Sequence, residues 1–271
     1  MYDYHLHSSY SGDCNEKMEE TIKAAIKMGG KELCFTDHLD YDYPTDEVNF
    51  DFDKVKFSKE LLLMQEKYDG KLKIKKGIEL GLQRHLSKEY NGFLETFDPD
   101  FVLCSFHVAQ RKDLYNGDFY KDKTPEEAWQ VYYEEVLETL KVFKNYSVVG
   151  HLDIPKRYNE AVKALDFQIS KGYLEKVLDL IIKDNRGIEV NMSGLRTEQK
   201  ETLPSREILE CYFNKGGKII TIGSDAHVKE AIYSHFYEVL NVLKDIGFEH
   251  IATYEKMVPK FLSIDDLLNN K

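Results

Sequence analysis

A chain of 271 residues with 42% hydrophobic and 31% charged side chains has enough apolar material for one sizeable core, and α/β barrels of this length fold as a single unit. Its formal charge of -11 at neutral pH argues against the nonspecific nucleic-acid binding that clustered lysines and arginines provide, leaving room only for locally basic pockets. No apolar run approaches the roughly 18 residues of a membrane-spanning helix, and the polar N-terminus lacks the basic region of a signal peptide, so a cytoplasmic protein without a membrane partner is expected.

In chain order, a first strand is expected over residues 2–5, followed by a helix over 17–28 that ends at Gly29-Gly30. A second strand covers 32–36, a helix 52–68, a third strand 73–79 and a fourth 101–106. A long amphipathic helix over 125–143 leads to a fifth strand at 147–150. A helix over 172–183 precedes the sixth strand at 187–191, and a helix over 205–214 precedes the seventh at 218–223. Strands spaced by helices, too far apart for hairpins, predict a parallel sheet with helical crossovers. No linker rich in Pro, Gly or Ser divides the chain, so residues 1–271 are expected to form one domain. The acidic stretch from Asp37 to Glu47 reads as a solvated loop, and the aromatic and aliphatic stripes at 129–133 and 178–182 read as helical core. Cys14, Cys34, Cys104 and Cys211 show no CxxC spacing and are expected to be reduced core thiols, Cys14 being the one beside a candidate site residue.

The polar residues fall where the strands end. The first strand leads into His5 and His7, which at i and i+2 share one face about 6.5 Å apart if the segment is extended. The second runs into Thr36-Asp37-His38, the third stops on Glu79 and the fourth reaches His107. The fifth is followed by His151-Leu152-Asp153, the sixth by Asn191-Met192-Ser193-Gly194-Leu195-Arg196, and the seventh by Ser224-Asp225-Ala226-His227. In a parallel α/β sheet all these exits lie on one side, where ligands bind. Any one histidine reads equally as an ordinary core or loop residue. Six of the nine together, joined by Asp13, Glu79 and Asp225, would be costly to bury without a cation between them. Imidazole and carboxylate donors without thiolate suit Zn, Fe or Mn, and the donors exceed what one tetrahedral ion uses, so more than one ion is expected. A carboxylate such as Glu79 can bridge two of them, and paired ions clamp a phosphoryl group during in-line displacement.

The ordered set His5-x-His7, Asp13, Thr36-Asp37-His38, Gly77-x-Glu79, His107, His151-x-Asp153 and Ser224-Asp225-x-His227 resembles the polymerase and histidinol phosphatase (PHP) superfamily. Within it, the whole chain is similar to the stand-alone histidinol-phosphate phosphatases. The resemblance implies a distorted seven-stranded (β/α)7 barrel with the metal site at the C-terminal ends of the strands. It implies three divalent ions: His5, His7, Glu79 and Asp225 on one, Glu79, His107 and His151 on a second, and Asp13, His38 and His227 on a third. The position of Asp13 alternates between His and Asp in the superfamily. The implied chemistry is hydrolysis of a small phosphate monoester, L-histidinol phosphate, to L-histidinol and phosphate, through a metal-bound hydroxide, in histidine biosynthesis.

For the chemical step Asp153 is the candidate general acid or orienter of the nucleophile, the alternative being a hydrogen-bonding partner of a ligand. Arg196 is the candidate phosphate clamp, able to pair bidentately with oxygens. Its stretch is similar to the Asn-Thr-Ser-Gly-Leu-Arg motif of histidinol phosphatases, from which Met192 departs and in which Ser193 joins the substrate site. Arg157 is a second substrate-binding candidate, with a surface salt bridge as its alternative. The loop at residues 40–43 and Phe106 are available for the imidazole and amine ends of the substrate. His85, His235 and His250 lie outside the pattern, His235 on the helix after the last motif. Two rival readings keep the site: a PHP-type phosphoesterase acting on nucleotides or phosphotyrosine, and a non-catalytic metal-binding module.

Overall fold

Seven strands that are largely buried on both faces have to be covered inside and out, and parallel pairing under a shell of helices does both. The computed structural model describes residues 1–45 and 48–270. The strands are β1 (Tyr2–Leu6), β2 (Glu32–Phe35), β3 (His38–Leu39), β4 (Lys73–Gly81), β5 (Phe101–Ser105), β6 (Val108–Ala109), β7 (Lys112–Asp113), β8 (Val148–Val149), β9 (Gly187–Asn191), β10 (Ile220–Gly223), β11 (His250–Glu255) and β12 (Val258–Ser263). The sheet runs β1-β2-β4-β5-β8-β9-β10, every neighbouring pair parallel, and β3 adds to the exit of β4.

The two edges meet just past the end of β10. Leu6 bridges Ala226 in the parallel sense, Asp225 N donates to His5 O at 2.7 Å, and His7 N donates to Ala226 O at 2.9 Å. The sheet is thus a nearly closed seven-stranded barrel, the (β/α)7 architecture expected, and its closure brings the first and last motifs together.

The surrounding helices are α1 (Met18–Lys27), α2 (Lys54–Lys67), α3 (Ser87–Phe97), α4 (Pro125–Val142), α5 (Pro155–Tyr158), α6 (Glu160–Lys163), α7 (Phe167–Lys183), α8 (Arg206–Asn214), α9 (Phe236–Ile246) and α10 (Ile264–Asn269). Helix α4 starts on a capping box, Thr124 with Glu127, and has a proline in its first turn. Helix α7 begins at Phe167 rather than at 172, because the Asp166 side chain accepts a hydrogen bond from Gln168 N and caps it there. Among the described residues no helix is long and apolar enough to cross a membrane.

Two features lie outside the expected pattern. Helix α3 buries Tyr90, Phe93, Leu94 and Phe97, an i, i+3, i+4, i+7 stripe that periodicity alone could have found. The antiparallel hairpin β11–β12 closes the floor of the barrel: Ala252 and Tyr254 pack on Tyr4, Cys34, Phe101, Leu103 and Val148. Its turn residues Lys256 and Met257 both have positive φ, where Asn-Gly would ordinarily announce a hairpin. All four cysteines are buried and free, as expected. Asp46 and Glu47, in the expected acidic loop, lie outside the described residues.

Candidate metal centre

The strand exits converge on a cavity of about 520 Å³ whose wall includes Asp13, His38, Glu79, His107, His151, Asp225 and His227, with His5 and His7 buried beneath it. Glu79, inside β4 and fully buried, is at the middle. Its Oε2 is 3.0 Å from His5 Nε2, 3.5 Å from His7 Nε2 and 3.3 Å from His38 Nδ1. Its Oε1 is 3.0 Å from His151 Nε2 and 3.3 Å from His107 Nε2. Asp225 Oδ1 completes the first group at 3.4 Å from His7 Nε2 and 3.7 Å from His5 Nε2. Asp13 Oδ2 is 3.2 Å from His227 Nε2 and 3.6 Å from His38 Nε2. All nine residues singled out from sequence are therefore neighbours. His38 differs from the expected partition, facing Glu79 with Nδ1 and Asp13 with Nε2, and so lies between two groups.

These donors fit divalent cations. Two donors each about 2.1 Å from one tetrahedral ion stand about 3.4 Å apart, the separation seen around Glu79 and Asp225. Four overlapping triads have ligand atoms within 4.8 Å of one another: His5, His7 and Asp225; His5, Glu79 and His151; His38, Glu79 and His107; and His7, His38 and His227. His7 Nε2 and His38 Nδ1 are buried without a hydrogen-bond partner, although both face carboxylate oxygens. A buried polar atom left in that state is costly unless something else satisfies it.

Electrostatics point the same way. Burial and the facing imidazoles of His227 and His38 push the His7 pKa down to about 3, which keeps it a neutral donor. Burial opposes charge on Glu79 as well, but His5 and His38 outweigh it and hold this carboxyl well below its ordinary range. Burial opposes charge on His107, but the Asp40 and Glu79 carboxylates outweigh it and raise the imidazole well above its ordinary value, so this position favours positive charge, from a proton or from a cation in its place.

The residues that aim these imidazoles were not foreseen. His5 Nδ1 is 2.6 Å from Glu189 Oε1 in β9, which frees Nε2 for the cluster, and the other oxygen of Glu189 accepts from His151 N at 2.9 Å. His107 Nδ1 is 2.6 Å from Asp40 Oδ2 in the same manner, and His7 Nδ1 is 3.0 Å from Ser11 Oγ. Ser105 Oγ donates to Glu79 Oε1 at 2.6 Å. Such partners fix the ring orientation and tautomer of a ligating histidine. The signal for Glu189 was present as a lone acid inside an apolar strand, in the same style as Glu79. Close approach at these exits requires glycine: a Cβ on Gly223 would lie 2.3 Å from both Glu189 Oε1 and His5 Cβ, and one on Gly81 would lie 2.0 Å from Asp40 Oδ2. Glu189→Gln, which keeps the shape and removes the charge, is expected to weaken cation retention and activity together by about 10- to 100-fold, measured by chelator competition alongside kcat/KM; unchanged retention would show that Glu189 does not orient His5.

Two guanidiniums adjoin the cluster on the cavity wall. Arg157, in α5, donates to Asp225 Oδ2 at 3.3 Å and to Ser193 Oγ. Arg196 donates to Ser234 Oγ at 2.8 Å and to Asp225 O at 3.2 Å. Both arginines, Ser193 and Thr197 line the cavity, so the surface salt bridge considered for Arg157 is replaced by a half-buried contact at the cavity wall. The rest of the wall includes Tyr43, Phe50, Asp113, Tyr115, Asn116 and Tyr158.

Four expectations are corrected. Asp153 does not reach the cavity: its Oδ2 takes Lys156 Nζ at 2.7 Å and Ser205 N at 2.9 Å. Strand β8 ends at Val149, and the chain turns at His151, whose φ is 20° and whose O accepts from Ile154 N at 2.8 Å. The i, i+2 alternation that would have put Asp153 beside His151 therefore does not apply. Asp40 is spent on His107 rather than offered to a ligand. Phe106 is buried against Tyr132 and does not line the cavity. His85, paired with Asp42, and His235, paired with Glu238, stand apart from the cluster, and His250 opens β11 on the surface. His235 is the residue before α9 rather than part of it.

The sequence profile of the PHP domain family matches residues 3–193. The histidinol-phosphatase of Lactococcus lactis subsp. lactis is 30% identical over 94% of this chain and 94% of its own length. A protein of Thermotoga maritima named probable histidinol-phosphatase is 32% identical over 93% of this chain and 95% of its own. The fold matches the crystal structure of the Lactococcus lactis histidinol phosphate phosphatase, complexed with zinc, L-histidinol and phosphate, with a TM-score of 0.88, covering 96% of this chain and 98% of the other. On the strength of this match, its extent and the convergence of the motif residues, the chain belongs to the PHP domain family.

Proposed function

We propose that the chain, acting as one phosphoesterase domain over residues 1–271, hydrolyses L-histidinol phosphate to L-histidinol and inorganic phosphate at a site for three divalent cations, Zn, Fe or Mn. His5, His7, Glu79 and Asp225 hold the first, Glu79, His107 and His151 the second, and Asp13, His38 and His227 the third. Glu79 is the bridge, because its two oxygens face different imidazole sets, and His38 stands between the second and third sites. When bound, the cations supply Lewis acidity to phosphoryl oxygens and to a water molecule.

The observation that carries this reading is the pair of guanidiniums, Arg157 and Arg196, both bonded to Asp225 of the His and carboxylate cluster and lining the same small cavity. That arrangement offers a dianion fixed positive groups beside the donors that would hold the cations. Both arginines donate to nonbridging oxygens, and Ser193 holds Arg157 in line. Asp225 ties the two halves, contacting His7 with one oxygen and Arg157 with the other. Tyr43, Tyr115 and Tyr158 offer aromatic faces to the imidazole of the substrate, and Asp113 offers a carboxylate to its ammonium group.

The test is a substrate panel on metal-reconstituted protein: histidinol phosphate against nucleoside monophosphates, phosphotyrosine and an aryl phosphate. Histidinol phosphate is expected to have the highest kcat/KM, and chelation is expected to remove turnover together with close to three equivalents of metal per chain. Equal rates with the aryl phosphate would overturn the substrate and leave the phosphoesterase; no turnover of any ester by loaded protein would favour a binding module.

A further inference from the structure

Helix α5 is a single turn of four residues, Pro155–Tyr158, and it carries Arg157. One turn is far below the length at which a helix holds itself together. Something else must keep that guanidinium in place.

The neighbouring residue supplies it. Lys156 points away from the cavity into a buried pocket, its side chain only 8% exposed, where Nζ meets Asp153 Oδ2 at 2.7 Å and Glu201 Oε1 at 2.8 Å. The same Asp153 oxygen accepts from Ser205 N at 2.9 Å, and Gln199 Nε2 donates to Lys156 O at 3.2 Å. Residues 199–205 are therefore laced to α5 from three directions. They are laced to the site as well, since Leu203 exchanges backbone hydrogen bonds with Asn191 at 2.8 and 3.0 Å, two residues before Ser193. A buried ion pair is a weak source of net stability but strongly penalises any arrangement that parts it, which makes it a device for fixing geometry.

We propose that the buried Asp153–Lys156 pair, with Glu201 as its outer arm, is a positioning element that holds Arg157 on the phosphate site and couples α5 to the segment carrying Ser193 and Arg196. Lys156 and Asp153 touch neither substrate nor cation; they act through Arg157. The inference rests on the reading above that Arg157 binds the phosphoryl group, and the experiment keeps the two apart.

The variants are Lys156→Met, Lys156→Arg and Asp153→Asn, each made in the native chain and in an Arg157→Ala background. Readouts are KM and kcat for histidinol phosphate and an aryl phosphate, the inhibition constant of inorganic phosphate, and metal content. Lys156→Met and Asp153→Asn are expected to weaken phosphate inhibition and raise KM by roughly 10- to 100-fold, with a smaller change in kcat and full metal content. Lys156→Arg is expected to restore most of the loss. In the Arg157→Ala background the same substitutions are expected to change phosphate inhibition less than about twofold, because the group they position is gone. An undiminished effect in that background, or loss of metal in step with loss of affinity, would overturn the proposal. Should Lys156→Met not fold, Lys156→Gln and the half-exposed Glu201→Gln provide the same comparison. Failure of the underlying reading looks different: Arg157→Ala by itself would then leave phosphate inhibition unchanged.

Discussion

Glu79→Ala is expected to release the bound cations and abolish measurable turnover, a loss of at least about 10³-fold if the ions contribute several kcal/mol to charge stabilisation. Each oxygen of this carboxylate faces a different set of imidazoles, His5, His7 and His38 on one side and His107 and His151 on the other. Removing it also strips His5, His38 and His107 of a negative neighbour that favours positive charge beside them, so the imidazoles that remain hold a cation less well. Elemental analysis of the purified variant, beside kcat/KM and a circular dichroism spectrum, checks the result. A folded Glu79→Ala protein retaining all its metal and its turnover would refute the bridged cluster. Glu79→Gln, which keeps volume and one oxygen, should fall on the same side with partial retention.

Arg157→Ala should behave in the opposite way toward metal, keeping it while losing substrate. A hydrogen bond to a charged group contributes about 1.5–3 kcal/mol, so kcat/KM is expected to fall about 10- to 150-fold, with phosphate inhibition weakened in parallel. Arg157→Lys should recover little, because a point charge cannot reproduce the fork that meets Ser193 Oγ and Asp225 Oδ2 at once. Paired steady-state kinetics and metal analysis check this. Metal loss equal to the activity loss would instead assign Arg157 to holding Asp225 in place.

Much of this architecture was legible because βα alternation is written into composition. Strand-like runs of four to seven residues, most of them separated by a helical pattern, located the seven barrel strands to within a few residues. The floor hairpin escaped because its turn uses Lys256 and Met257 at positive φ, and such residues carry no turn signature. Helix α3 was overlooked although its apolar stripe was present in the sequence.

The residues of the cluster were legible for a related reason. Buried charge is rare, so His, Asp and Glu at the ends of apolar strands stand out against their surroundings. Residue type and strand position, properties of the chain itself, were enough to name all nine members of the cluster and the arginines that face it. What each side chain does there was a matter of tertiary structure, because it depends on which atoms lie within about 3 Å across elements far apart in sequence. Asp40 turned to His107 and Glu189 to His5, each choice made by strands the chain reaches only after barrel closure. Asp153, two residues from His151 in a pattern that suggested catalysis, left the cavity because the backbone turns at His151 and a buried lysine was there to receive it.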